Sequence, residues 1–405
     1  MKKMVLVAVV SLALRWQSER ELRRYQISLR DRDIGTTDLV LRAFDWDPAT
    51  FTTTPTTDAT FTWELRRPAA TDEDAPGEAF AAGDLAVRAL ATPEGAIRAD
   101  RIAARGGAAV LVLVRHARDG ARCSDVTVRI DALPGHAEPA RTLSIPIPTC
   151  AASRRGLIEI PGGRFIAGGV GDPAGPYSSA QVPPEQILFE PAFAIDRTEV
   201  SNGLMAVFSS IREVHGLGDV QLPGTDQLRE AGTLRKPAAG FTWREARAVC
   251  RWMGKDLPSQ DQWLRSLRGA LLLDGQPNAC PRRNFAWCGP FDPQRTNTRR
   301  GETGAARDVG ATPGDMSVEG VMDLVGNVSE WTRSSVVEFD LLLRIASIIP
   351  GMRAALFARS SPFVASMGCN WSDIECATDP LLMLPHPNLR PRRTVNYALG
   401  FRCVQ

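Results

Sequence analysis

Lysine is nearly missing from this chain: of 48 basic residues, only Lys2, Lys3, Lys236 and Lys255 are lysine. The positive charge is therefore arginine, which with the Ala, Gly and Pro richness reads as GC-rich codon usage of a bacterial kind. There is no long basic run and the net charge is +2, so the chain lacks a nucleic-acid footprint and no nucleic-acid partner is expected. No C-x-x-C occurs, and His116, His136, His215 and His386 stand alone, so zinc-ligand spacing is missing. No G-K-[ST] follows the glycines of "IPGGRFIAGG", which removes a phosphate loop and leaves a tight, hairpin-like turn.

What is there is ordinary for a soluble globular protein: 405 residues, 44% hydrophobic and 23% charged, enough for two or three domains. The N-terminus, "MKKMVLVAVVSLALRW", puts two lysines before an apolar run from Met4 to Leu14 that is too short to span a bilayer. Ser11 and Ala13 form a small-x-small pattern. Residues 1–14 thus read as a short signal peptide cleaved after Ala13, with a buried first strand as the other reading. Eight cysteines, an even number without metal spacing, favour disulfides in an oxidising compartment over buried inert thiols. The expectation is an exported protein, periplasmic or extracellular.

Residues 15–150 read as an all-β domain. "TDLVLRAFDW", "ATFTWELRR", "DLAVRAL", "AAVLVLVRH" and "SDVTVRIDAL" are short runs rich in Val, Thr, Phe and Trp, separated by turn signals. That rhythm suggests an immunoglobulin-like β-sandwich in which Cys123 and Cys150 are candidates to pair. "PAATDEDAPGEAFAAGD" reads as a long exposed loop.

From about 155 the texture changes. "TWRE" and "SQDQ" are capping boxes that open two helices, one through Trp243, Ala246, Cys250 and Met253 to Gly254, the other through Trp263, Leu264 and Leu267 to Gly269. Beyond 270 the chain looks loop-rich. Residues 333–367 are markedly apolar and broken by Pro350 and Gly351, which fits a buried helix pair or an element contacting a protein or membrane.

Six pieces in order, "IPGGRFIAGG", "IDRTEVSN", "FTWREARAVCRWMGKDLPSQDQWLRSLRG", "MDLVGNVSEWT", "GCNW" and "LGFRC", resemble the formylglycine-generating enzyme (sulfatase-modifying factor) family over about residues 155–405. The resemblance implies a loop-rich variant of the C-type lectin fold, and with the N-terminal sandwich an α+β protein. The family's founding activity oxidises a client cysteine to formylglycine with copper and oxygen, and soft Cu(I) calls for a pair of thiolates. Counted back from Cys403, that pair falls on Asp379 and Leu384, and neither is cysteine. Cys369 and Cys376 are the displaced candidates, as copper ligands or as a structural disulfide. The family's L-P-T-E-A-E-W also appears here as "LPSQDQW", with both glutamates replaced.

The resemblance further implies a calcium loop in "MDLVGNVSEWT". Asp323 and Glu330 would offer carboxylates, and Gly326 and Val328 backbone carbonyls, the oxygen mixture Ca²⁺ requires. A weaker second site falls at Asn297. Within the same frame Cys250 is expected to bond Cys403, with Cys280–Cys288 and Cys369–Cys376 as local clips. Arg390, Arg392, Arg393 and Arg402 are candidates to line a polar groove. Two functional readings follow: a non-catalytic scaffold or binding module for a protein or glycan, and a copper-dependent formylglycine-generating oxidase.

Overall fold

The structure is a computed structural model of the whole chain. It describes residues 37–55, 58–68, 76–88, 96–97, 110–116, 126–130, 141–168, 185–215, 232–298, 304–335, 363–372 and 388–405. The N-terminal segment 1–14 lies outside them.

Eight strands make two four-stranded sheets in the N-terminal region. They are β1 (Thr37–Trp46), β2 (Thr53–Pro55), β3 (Asp58–Pro68), β4 (Pro76–Arg88), β5 (Ala96–Ile97), β6 (Val110–His116), β7 (Val126–Ile130) and β8 (Arg141–Pro148). One sheet is antiparallel throughout, in the order β4-β3-β6-β7. In the other, β2 and β5 pair antiparallel with β1, and β8 runs parallel to it. The β content expected of this region is present. The stretch read as a long loop is corrected in its second half, because "PGEAFAAGD" lies within β4. Its alanines and glycines carry little strand propensity, and eleven-residue β3 supplies the ladder that holds them.

The short helix α1 (Cys150–Arg154) is capped by Thr149 and leads into β9 (Leu157–Ile160) and β10 (Gly163–Ala167). These two strands do not form the expected hairpin. β9 pairs with β12 (Phe193–Asp196), while β10 pairs with β11 (Gln186–Glu190). Pro161 and Gly162 are thus a crossing between two ribbons. A Cβ on Gly162 would lie 3.0 Å from the Ala192 nitrogen, so any side chain there would crowd the backbone of the second ribbon.

Helix α2 (Asn202–His215) has no capping box, only Ser201 Oγ accepting from the Leu204 N–H, and it escapes a search for such boxes. The two predicted helices are present as α3 (Trp243–Trp252) and α4 (Gln260–Arg268), with both boxes formed reciprocally. Gly254 and Gly269 end them with positive φ, +72° and +74°. After the two-residue strands β13 (Leu272–Leu273) and β14 (Gln276–Pro277), the chain builds a sheet the sequence did not betray. Its order is β17 (Asn388–Pro391), β16 (Phe363–Met367), β15 (Ser329–Ser335) and β18 (Leu399–Gly400). Residues 336–362 of the apolar segment lie outside the described residues; its ends belong to β15 and β16. No helix among the described residues is long and apolar enough to cross a membrane.

Two apolar clusters form the C-terminal core. One gathers Phe165, Trp263, Leu267, Phe285 and Val325; the other gathers Trp243, Phe241, Trp331, Phe401 and Leu399. Trp243, Trp263 and Trp331 are all fully buried. Burying each indole contributes up to about 4–6 kcal/mol of transfer free energy. Phe44 of β1 stacks on Trp252 of α3 at 5.3 Å, joining the N-terminal sheet to this core.

Candidate functional site

"MDLVGNVSEWT" lies at the centre of the C-terminal region, and its residues from Met322 to Thr332 are buried. Asp323 and Asn327 both take positive φ, +57° and +68°, a conformation that acids and amides tolerate better than other non-glycine residues. Between them Gly326 presses against Thr296 Oγ1 and the Asn297 carbonyl, where a Cβ would collide. The tightly wound loop buries its own Asp323 and Glu330, and Glu199 and Asp315 are buried against it from outside.

Among the described residues, Arg402 is the cation that stands beside these acids. Arg402, completely buried, grips Glu330 with two hydrogen bonds of 2.6 Å, from Nε to Oε2 and from Nη2 to Oε1. Trp263 Nε1 donates to the same Oε2 at 3.0 Å. The remaining guanidinium protons go to the carbonyls of Asp196, Arg197, Met322 and Asp323. Glu330 and its neighbours Glu199 and Asp323 hold the arginine's pKa above its usual value against the opposing effect of burial. Arg402 is therefore a core residue and not part of a groove.

Glu199, which the sequence reading quoted within "IDRTEVSN" but gave no role, faces Asp323 and hydrogen-bonds with it. It also accepts from the Val328 N–H and from Asn327 Nδ2. Burial, then repulsion from Asp323 and Glu330, pushes the Glu199 carboxyl well up. Burial likewise raises Asp323, despite the N–H it accepts from Gly310 at 2.5 Å. Asp315, also overlooked, accepts from the Val325 and Gly326 N–H groups and from Thr296 Oγ1. Burial, then Asp323, lifts it to about 8. Burial and mutual repulsion thus favour the protonated form of Glu199, Asp315 and Asp323, the expected response of buried carboxyls.

These residues do not fit a calcium ion. Both oxygens of Glu330 are taken by Arg402, and Asp323 is turned to Gly310 and Glu199. At Asn297, Nδ2 donates to the Ala305 carbonyl and to Asn327 Oδ1. Among the described residues no group of three or more His, Cys, Asp or Glu could hold a metal. The motif forms a buried hydrogen-bonded network around Arg402.

The cysteines divide into bonded and free. Cys250 of α3 bonds Cys403 with a Cα–Cα distance of 5.5 Å, tying α3 to the C-terminal segment. Cys150 and Cys369 are also disulfide-bonded; Cys123 and Cys376 lie outside the described residues. A bonded Cys369 offers no thiolate, which argues against a copper pair at Cys369 and Cys376. The expected Cys280–Cys288 clip is corrected: both are free thiols, hydrogen-bonded to one another. Of the remaining groove arginines, Arg390 donates to Ser366 Oγ at 3.0 Å, Arg392 stacks over Trp243 at 4.3 Å, and Arg393 is exposed. They do not converge with Arg402.

Comparison with known proteins agrees with the motif order. The model of the sulfatase-modifying factor enzyme 1-like domain (FGE-sulfatase) matches residues 145–405, more than half of the chain. The chain belongs to this family. Among its sulfatase-modifying-factor relatives, the bovine protein named inactive C-alpha-formylglycine-generating enzyme 2 is 28% identical over 47% of this chain and 74% of its own length. The formylglycine-generating enzyme of Streptomyces coelicolor is 24% identical over 44% of this chain and 68% of its own. Hercynine oxygenase of Mycolicibacterium smegmatis is 27% identical over 56% and 54%. Among solved structures, PvdO from Pseudomonas aeruginosa superposes with a TM-score of 0.42 at 18% identity, over 61% of this chain and 93% of that one. The mixed sheets and few helices make the protein α+β.

Proposed function

We propose that this protein is a non-catalytic member of the sulfatase-modifying-factor family, a scaffold or binding module for a protein or glycan. One observation carries the reading: of the two displaced candidates Cys369 and Cys376, Cys369 is consumed in a disulfide, and the expected positions hold Asp379 and Leu384. A thiolate pair cannot form from such residues. The relative named inactive lends support, since a fold commonly outlives its chemistry. The disulfides at Cys150, Cys250, Cys369 and Cys403 favour an exported protein, in keeping with the lysine-led apolar N-terminus. The N-terminal sheets, read as an immunoglobulin-like sandwich, would present the domain.

The test is turnover. Copper-loaded, aerated protein is incubated with a cysteine-containing sulfatase peptide, and an aminooxy probe is used to trap any aldehyde. No aldehyde above a protein-free control is expected. Formation of formylglycine would overturn the reading and restore the oxidase.

A further inference from the structure

The ribbon of β10 and β11 has two unlike edges. Along β10, the Arg164 carbonyl accepts from the Leu271 N–H at 2.7 Å, and the Ile166 and Gly168 carbonyls each accept from Arg268 Nη1 at 2.7 Å. Along β11, residues Gln186–Glu190 pair with β10 on one side, and among the described residues no backbone group takes up the other. The register runs from Gly163 opposite Glu190 to Ala167 opposite Gln186 without a bulge. The usual devices that blunt an edge, a bulge, a proline or a lysine, are missing from "QILFE". Its two acids are engaged within their own chain: Glu185 holds Arg282 through two hydrogen bonds of 2.8 Å, and Glu190 hydrogen-bonds Gln262. Between them Ile187 and Phe189 project from one face, 60% and 65% exposed, while Leu188 packs against the core on the other.

We propose that β11 is a self-association edge, at which two copies of this chain pair antiparallel about a two-fold axis through Leu188. The strand is complementary to its own reverse. About that axis Ile187 of one copy lies across Phe189 of the other, and the symmetry repeats the pair, giving two β-branched–aromatic contacts on the exposed face. On the inner face Leu188 meets its own equivalent and Gln186 faces Glu190, so no like charges stand opposite one another. Glu185 falls across from Pro191, again without a like charge. A strand of another protein would need the same apolar pair at the same spacing, and β11 itself carries it. Pairing converts two two-stranded ribbons into one four-stranded sheet, ordered β10-β11-β11-β10, past the size at which a sheet with an apolar face gains independent stability. An isologous contact consumes the edge it uses, and the β10 edge is already engaged by Leu271 and Arg268, so assembly stops at the dimer. Two five-residue strands cover less than the ~1,200 Å² of a standard interface, so the dimer is transient.

The experiment follows the full chain by sedimentation velocity at concentrations up to ~1 mM, the weak end of specific affinity. The wild type is expected to show a monomer–dimer equilibrium, and hydrogen exchange in the peptide spanning 186–190 should slow as the dimer fills. Ile187→Glu and Phe189→Lys, both at exposed positions, should fold normally by circular dichroism. Each breaks two symmetry-related pairs and should weaken association about tenfold. Mixing the two variants in equal amounts should restore it, because one Ile–Phe pair returns and the introduced glutamate faces the introduced lysine across the axis. The proposal is overturned if the wild type stays monomeric at ~1 mM, or if it grows past the dimer into open-ended assemblies. It is equally overturned if both variants associate as the wild type does, or if their mixture associates no better than either alone.

Discussion

Replacing Arg402 with methionine would test the buried network directly. Six acceptors surround the five N–H groups of the guanidinium, two of them the Glu330 oxygens at 2.6 Å, and both side chains are almost wholly excluded from water. Methionine fills the space but leaves the Glu330 carboxylate without its partner beside Glu199 and Asp323, and removes a donor from four carbonyls, of which that of Arg197 keeps the Met322 N–H. Losing one partner of a buried ion pair costs about 3–5 kcal/mol. Glu330→Gln should cost less, because the introduced amide oxygen could still accept from Trp263 Nε1, and Glu199 and Asp323 remain beside the arginine. The double variant has no uncompensated charge to hold, so the two effects should fall short of additivity by about 0.5–3 kcal/mol. Urea unfolding at pH 7, followed by tryptophan fluorescence and circular dichroism, gives the three differences from midpoint and slope. A cost of R402M below about 1 kcal/mol, or additivity within about 0.5 kcal/mol, would refute the reasoning. A midpoint raised by millimolar Ca²⁺ would return Glu330 to the role of a metal ligand.

Two further outcomes follow from the same geometry. Asp315 binds its proton up to about pH 8 in the folded protein, against 3.8 when free, so between these values the folded state holds the extra proton. Stability should therefore fall as pH rises from 5 to 8, by about 1.4 kcal/mol per unit per such group. Asp315→Asn should flatten the slope by as much as one proton, and an unchanged slope in pH-series urea titrations would contradict it. The Cys250–Cys403 bond closes a loop of 153 residues, worth about 5 kcal/mol of chain entropy. Cys250→Ala/Cys403→Ala should lose stability of that order in denaturant, and a loss under about 1 kcal/mol would place the tie's effect elsewhere.

Legibility in the sequence tracked the range of the interactions involved. The capping boxes at Thr242 and Ser259 were readable because their partners, Glu245 and Gln262, lie three residues on. β1 was readable because "TDLVLRAFDW" carries its own β-branched and aromatic run. The pairing of β9 with β12 and of β10 with β11 was not, because nothing local in "IEIPGGRFIAGG" says which distant strand each ribbon will meet. The C-terminal sheet escaped for the same reason: β15 pairs with β16 across the apolar segment and with β18 near the chain's end.

By itself the sequence determined the family, the two capped helices, the β character of the N-terminal region and the missing cysteines at Asp379 and Leu384. Those are properties of residue identity and short spacing. Only the tertiary structure decided what "MDLVGNVSEWT" does, because its residues are defined by distant partners: Arg402, 72 residues from Glu330, and Glu199, 128 residues from Asn327. Two carboxylates and a glycine at the right spacing read as a cation site in one dimension. In three, the cation is already present and covalently part of the chain, so the same residues serve the core. The thiols differ too: Cys280 and Cys288 read as a structural clip in the sequence, and the structure leaves both unbridged, Cys280 half-buried and Cys288 exposed.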